Sequence, residues 1–144
     1  MSSLPIFRLV KFEVIQVLSD ETEQKLYESP QIPDQSSVEL TDCAQLPEGI
    51  RSYLKVYFSI KDNAVKGLTC QRKVYKGPIC VNTENALMGD FEPIEDVQDF
   101  KFAIMDTPSG MFVRGGFTTQ LSFINNEKQV LMKIKYPFQI VKSK

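Results

Sequence analysis

A chain of 144 residues, 42% of them hydrophobic, holds enough apolar material for one core and reads as one domain, 1–144, without disulfide or metal staples. Its 17 basic and 18 acidic residues leave a formal net charge of −1, which excludes the clustered basic footprint of a nucleic-acid binder. It contains no histidine, which removes the usual general base of hydrolytic triads and the commonest zinc ligand, so the sequence points away from enzyme chemistry.

Taken in chain order, the first predicted strand is Phe7–Val17. Thr22–Tyr27 offers a weak helical reading too short to organise a fold. Glu28–Ser37, with two prolines and several polar residues, reads as a surface loop, and Val38–Leu40 as a short strand. In Tyr53–Ile60 the alternation is plain: Leu54, Val56, Phe58 and Ile60 share one face, Tyr53, Lys55, Tyr57 and Ser59 the other. Leu68–Tyr75 and Ile79–Val81 follow, separated by a turn at Lys76-Gly77-Pro78, and Asn85–Met88 is a second weak helical reading. Phe100–Met105, Met111–Arg114 and Phe117–Phe123 are further strands, with turns at Thr107-Pro108-Ser109-Gly110 and Asn125-Asn126. In the last segment Met132, Ile134, Tyr136, Phe138 and Ile140 alternate with Lys133, Lys135, Pro137 and Gln139. The basic row must be wet, and Pro137, which has no N–H to donate, suggests an edge position or a bulge. Short alternating strands at this spacing predict an all-β antiparallel sandwich.

The polar chemistry is sparse. Cys43, Cys70 and Cys80 make an odd count with no CxxC pair, which indicates neither a disulfide framework nor a zinc site and fits a reducing compartment. Cys70 lies in a strand and reads as a small buried side chain. The pairs Asp20/Glu21 and Glu95/Asp96 lack a convergent third ligand and read as solvated loops. Gly115-Gly116 lies in a strand pattern, opens no helix, and reads as a bulge. No cofactor or metal is expected. Met1–Val10 carries no cleavable leader pattern, no run of about 18 apolar residues occurs, and the C-terminal Val141-Lys142-Ser143-Lys144 lacks a prenylation cysteine. The expectation is a cytoplasmic protein with no stable membrane insertion, any lipid in its function belonging to a partner.

Two stretches carry a resemblance to a known family. The first runs Tyr53–Ile60, Val65-Lys66-Gly67-Leu68, Val74-Tyr75-Lys76-Gly77 and Met88-Gly89-Asp90-Phe91-Glu92-Pro93. The second is Thr107-Pro108-Ser109-Gly110-Met111-Phe112-Val113-Arg114-Gly115, followed by a polar turn from Phe123 to Lys128. In order and spacing these resemble the Rho GDP-dissociation inhibitors; the first 50 residues match more loosely, through Leu4-Pro5 leading into an apolar strand.

The resemblance implies an immunoglobulin-like sandwich whose sheets part to admit a geranylgeranyl chain carried by a prenylated Rho-family small GTPase. It implies a protein that keeps that GTPase soluble, inhibition of GDP release being tied in the family to an N-terminal regulatory arm. The pocket residues it implies are Phe12, Val14, Phe58, Phe112, Thr119, Leu121, Met132 and Ile134. Acidic residues of the Asp90–Asp99 loop, namely Asp90, Glu95, Asp96 and Asp99, are implied to face the basic tail preceding the prenylated cysteine. Two departures stand out. The first strand begins almost at Phe7, with no room for the family's N-terminal regulatory arm, so lipid capture is expected to persist with weak or absent inhibition of nucleotide exchange. Met132 and Ile134 replace a tryptophan pair, which leaves room for a wider pocket or another lipid. Two other readings of the same sandwich stay open: a general prenyl-binding chaperone like the delta subunit of photoreceptor phosphodiesterase, and a closed-core interaction module.

Overall fold

A computed structural model describes residues 6–107 and 115–142. Among them every regular element is a strand: β1 (Ile6–Val17), β2 (Glu23–Glu28), β3 (Ser37–Glu39), β4 (Ala44–Pro47), β5 (Arg51–Lys61), β6 (Val65–Lys76), β7 (Ile79–Phe91), β8 (Ile94–Lys101), β9 (Met105–Asp106), β10 (Gly115–Ile124) and β11 (Val130–Val141). They form two sheets packed as an all-β, immunoglobulin-like sandwich. The first has the order β2-β1-β5-β8 with β9 also on β5; the second has the order β3-β11-β10-β6-β7 with β4 also on β11.

Period-two burial explains the packing. On β5 Leu54, Val56, Phe58 and Ile60 are at most 2% exposed, and on β11 Met132, Ile134 and Tyr136 are at most 5% exposed; these rows face each other across the sandwich. Phe7 stacks on Phe123 at a ring-centroid distance of 4.4 Å and on Phe58 at 5.4 Å, and Phe91 meets Phe58 edge-on at 5.2 Å. One end of the sandwich is thus filled with phenylalanine rings.

Several expectations are corrected. Thr22–Tyr27 and Asn85–Met88 are not helical: they lie in β2 and β7, where cross-strand pairing to β1 and β6 decides what short local propensity cannot. Asp90–Asp99 is not a loop, since β7 runs to Phe91 and β8 resumes at Ile94. Phe100–Met105 splits between β8 and β9, and β4 has no sequence counterpart. The sandwich is not wholly antiparallel, because β3 and β4 pair parallel with β11. Gly115-Gly116 makes no bulge: it pairs in register with Ile140 and Gln139, and the register shift lies at Phe123/Ile124. The strand expected at Met111–Arg114 lies outside the described residues.

Pro137 sits in mid-strand at the gap between β3 and β4, a local edge of β11 that needs no donor, in keeping with the expected edge position. Lys133 N–H donates to the Ser36 carbonyl and Leu40 N–H to the Lys135 carbonyl, so the odd-numbered residues of β11 turn their backbone groups toward β3 and β4. Pro137 shares that parity and falls between Lys135, where pairing with β3 ends, and Phe138, where pairing with β4 begins. The 29–36 connection is equally specified: Ser29 accepts from the Phe12 N–H at 2.9 Å, Ile32 N–H donates to the Val10 carbonyl, and the Ile32 side chain is fully buried.

Candidate functional site

Toward the other end the two sheets leave space that their inward side chains do not fill. A cavity of about 600 Å³ lies there. One wall is Val14 of β1, Ser52–Leu54 of β5 and Met105 and Asp106 of β9; the other is Val74 and Lys76 of β6, Phe117 and Thr119 of β10, and Tyr136, Phe138 and Ile140 of β11. Ala44 and Leu46 of β4 close one flank, and Val81 and Asn82 of β7 bound the other. The volume suits a drug-sized or lipid-sized guest, for which pockets of roughly 300–1,000 Å³ are usual.

Polar groups on this wall are few and mostly engaged. Arg72, in the inward row of β6 between Cys70 and Val74, donates to the cross-strand Glu84 at 2.8 Å. Its guanidinium also touches the Met105 sulfur and lies 5.5 Å from the Phe102 ring centroid, so it spans from one sheet to the other. Burial pushes the Tyr136 phenol above its ordinary value, against the opposing pull of Arg72 and Thr119, and keeps it neutral. At the rim the Lys76 ammonium sits 5.1 Å from the Phe117 ring, which itself stacks on Phe138 at 5.2 Å. Cys70, next along the row, is fully buried, and burial raises its thiol to about 12, so it is no nucleophile. Among the described residues no group of three His, Cys, Asp or Glu side chains converges on a metal position, and no helix is long and apolar enough to cross a membrane.

Of the residues expected in the pocket, Val14 and Thr119 line the cavity. Phe12, Phe58, Leu121, Met132 and Ile134 are at most 1% exposed and lie in the filled core, off the cavity wall. Phe112 lies outside the described residues. The wall is built by the same inward rows further along: Tyr136, Phe138 and Ile140 continue the row of Met132 and Ile134, and Phe117 and Thr119 precede Leu121 and Phe123. The alternation identifies the rows; which half is hollow follows from cross-sheet alignment. Arg72 was signalled only as a cation in an otherwise apolar inward row.

The acidic residues lie elsewhere. Asp90 accepts from the Gly67 N–H at 2.8 Å, and Asp99 approaches Lys55 at 3.9 Å. Glu95 and Asp96 are exposed on β8 beside the end of β5. At about 3.3 Å per residue they stand roughly 15–20 Å along the sheet from the cavity wall at Leu54.

Comparison with known proteins bears on what this cavity is for. The family model described as RHO protein GDP dissociation inhibitor matches residues 5–143. The chain is 31% identical over 97 residues to Rho GDP-dissociation inhibitor 1 of Arabidopsis thaliana, covering 67% of this chain and 40% of that protein. It is 24% identical over 98 residues to the Rho GDP-dissociation inhibitor of Schizosaccharomyces pombe (68% of this chain, 48% of that protein). To human Rho GDP-dissociation inhibitor 1 it is 22% identical over 83 residues (58% and 41%). The matched part therefore spans less than half of each of these relatives. With the family model covering nearly the whole chain and the two-sheet sandwich in place, the chain belongs to the Rho GDP-dissociation inhibitor family.

Proposed function

We propose that the protein binds a prenylated Rho-family GTPase, takes the geranylgeranyl group into the cavity between its sheets, and so holds the GTPase in the cytosol as a binding protein rather than a catalyst. The observation that carries this reading is the apolar cavity of about 600 Å³ between the sheets of a chain in this family. Burial is worth about 0.8 kcal/mol per CH₂, so a twenty-carbon chain gains on the order of 10 kcal/mol before ordering costs, enough to compete with a bilayer. Val14, Thr119, Phe117, Tyr136, Phe138 and Ile140 form the contact surface for the lipid. Phe12, Phe58, Leu121, Met132 and Ile134 support it as filled core.

In this reading Glu95 and Asp96 attract the basic tail preceding the prenylated cysteine at long range. A tail of about six extended residues reaches from the cavity to them. Asp90 and Asp99 contribute less, since each already holds a partner.

The test is calorimetric titration with a Rho-type GTPase in geranylgeranylated and unmodified forms, with release of fluorescent GDP followed in parallel. Binding only to the geranylgeranylated form supports lipid capture, and slowed GDP release adds inhibition of exchange. Equal binding to both forms, or to neither, refutes the assignment of the cavity.

A further inference from the structure

Aliphatic side chains stand exposed beside the cavity. Val81 of β7 lines it and is also 53% exposed, Ile79 at the start of the same strand is 65% exposed, and Ile104, just before β9 on the facing lip, is 54% exposed. Exposed aliphatic side chains thus flank the cavity on both sides, interspersed with Lys76, Asn82, Asp106 and Thr107 of its lining. The β7 lip is the tip of the β6–β7 hairpin. Its two-residue turn, Gly77-Pro78, takes a φ of +59° at glycine, and no heavy atom lies within 4 Å of where a Cβ would stand, so the turn itself is uncrowded. Behind the tip are Tyr75, Lys76 and, on the outer row, Lys73; neither lysine has an ion-pair partner among the described residues. Among the described residues of the cavity wall Asp106 is the one carboxylate.

We infer that the two lips, Ile79 and Val81 on the β6–β7 hairpin and Ile104 opposite, dock on a lipid bilayer with anionic headgroups, with Lys73 and Lys76 at headgroup level, so that the mouth opens against the membrane. Aliphatic tips backed by tyrosine and lysine are the side chains that interfaces favour: the former enter the acyl boundary, the latter keep their charged or hydroxyl ends wet. Each lysine near an anionic surface adds attraction that salt screens. Such docking is weak by design of its small area, and it lets a lipid chain pass from bilayer to cavity without crossing water. This inference rests on the cavity being a lipid site.

The experiment uses the full chain, and vesicles of phosphatidylcholine with and without phosphatidylserine, read by co-sedimentation. The wild type is expected to sediment with the phosphatidylserine vesicles and to be released by high salt. The double variant Ile79→Asp/Ile104→Asp is expected to lose about tenfold or more of this partitioning. Val97→Asp, which removes an equally exposed valine on β8 away from the mouth, is expected to match wild type. Capture of a geranylgeranylated peptide in detergent solution is measured on all three and is expected to be equal. Failure of the wild type to capture that peptide refutes the lipid cavity itself. Capture with no vesicle binding, or with vesicle binding unchanged in the double variant, overturns the docking inference alone. So does a double variant that keeps its vesicle binding but loses affinity for the prenylated GTPase in solution, which would give the lips to the protein partner.

Discussion

Leu46→Asp separates a hollow sandwich from a closed one. Leu46 is half-buried on the short strand β4 and lines the cavity. Losing about half the burial of a leucine costs folding roughly 1 kcal/mol, and the new carboxylate can be hydrated while the cavity holds water. A hydrocarbon guest changes this, because the carboxylate must then be stripped of water beside an apolar chain, at a cost of several kcal/mol. A loss of about 3 kcal/mol corresponds to more than 100-fold in affinity. The assay is fluorescence anisotropy of a labelled geranylgeranylated peptide, with thermal unfolding measured alongside. At pH 7 the variant is expected to be folded but at least 100-fold weaker, and below about pH 5, where the carboxyl takes up a proton, affinity is expected to recover in part. Ile134→Asp, placed in fully buried core, is expected to unfold the chain instead. A folded Leu46→Asp protein with wild-type affinity at pH 7 would refute the placement of the lipid.

Three further outcomes follow from the same packing. Thiol titration of the native protein is expected to modify Cys43 and Cys80, which are exposed, and to reach Cys70 only on unfolding. Since burial raises Cys70 from 9.0 to about 12 and Tyr53 from 10.0 to about 12, their neutral forms favour the folded state. That contribution is complete below about pH 9 and is lost as pH rises toward 12, so the urea midpoint should fall across this window, less steeply in Cys70→Ala. Glu13 is 4% exposed on the outer face of the first sheet and accepts from Tyr57 at 2.8 Å with Lys25 at 3.0 Å. Burial opposes its charge, but these bonds outweigh it and hold the carboxyl below its ordinary 4.5, so stability is lost as pH falls below that value, and Glu13→Ala is expected to cost roughly 1–3 kcal/mol in chemical denaturation.

Much of this architecture is legible from alternation alone. The rows Leu54–Ile60 and Met132–Ile140 were assigned to the correct faces because a strand with one buried face leaves period two in the sequence. What alternation does not encode is the partner across the sandwich. Ile134 and Ile140 look alike in sequence, yet one meets the phenylalanine-filled end and the other an open one, a difference fixed by the register of β11 on β10 and by the facing sheet. The same limit explains β2 and β7: Glu23–Glu28 and Asn85–Met88 carry too few β-branched residues to signal strands, and become strands because β1 and β6 offer long edges to pair with. The short strand β4 is likewise formed by the exposed edge of β11.

The division of the sandwich also settles how a small domain can keep a cavity and still fold. An unfilled volume forfeits packing that the chain would otherwise gain, and that loss must be offset elsewhere. Here the offset is local to the other end, where Phe7, Phe58, Phe91 and Phe123 interlock and the Gly67 turn is locked against Asp90 and Asn126. At the hollow end the sheets are held apart by contacts that do not need the cavity filled: Arg72, fixed by Glu84, reaches the Phe102 ring, and Phe117 stacks on Phe138 under Lys76. Arg72 therefore acts as a strut, and shortening it should narrow the cavity rather than unfold the protein. Arg72→Ala is expected to weaken capture of the geranylgeranylated peptide while leaving the filled end intact, visible as unchanged amide protection at Phe58 and Phe123 in hydrogen exchange. Loss of protection at both ends together would show instead that the two halves fold as one unit and that the guanidinium is part of its core.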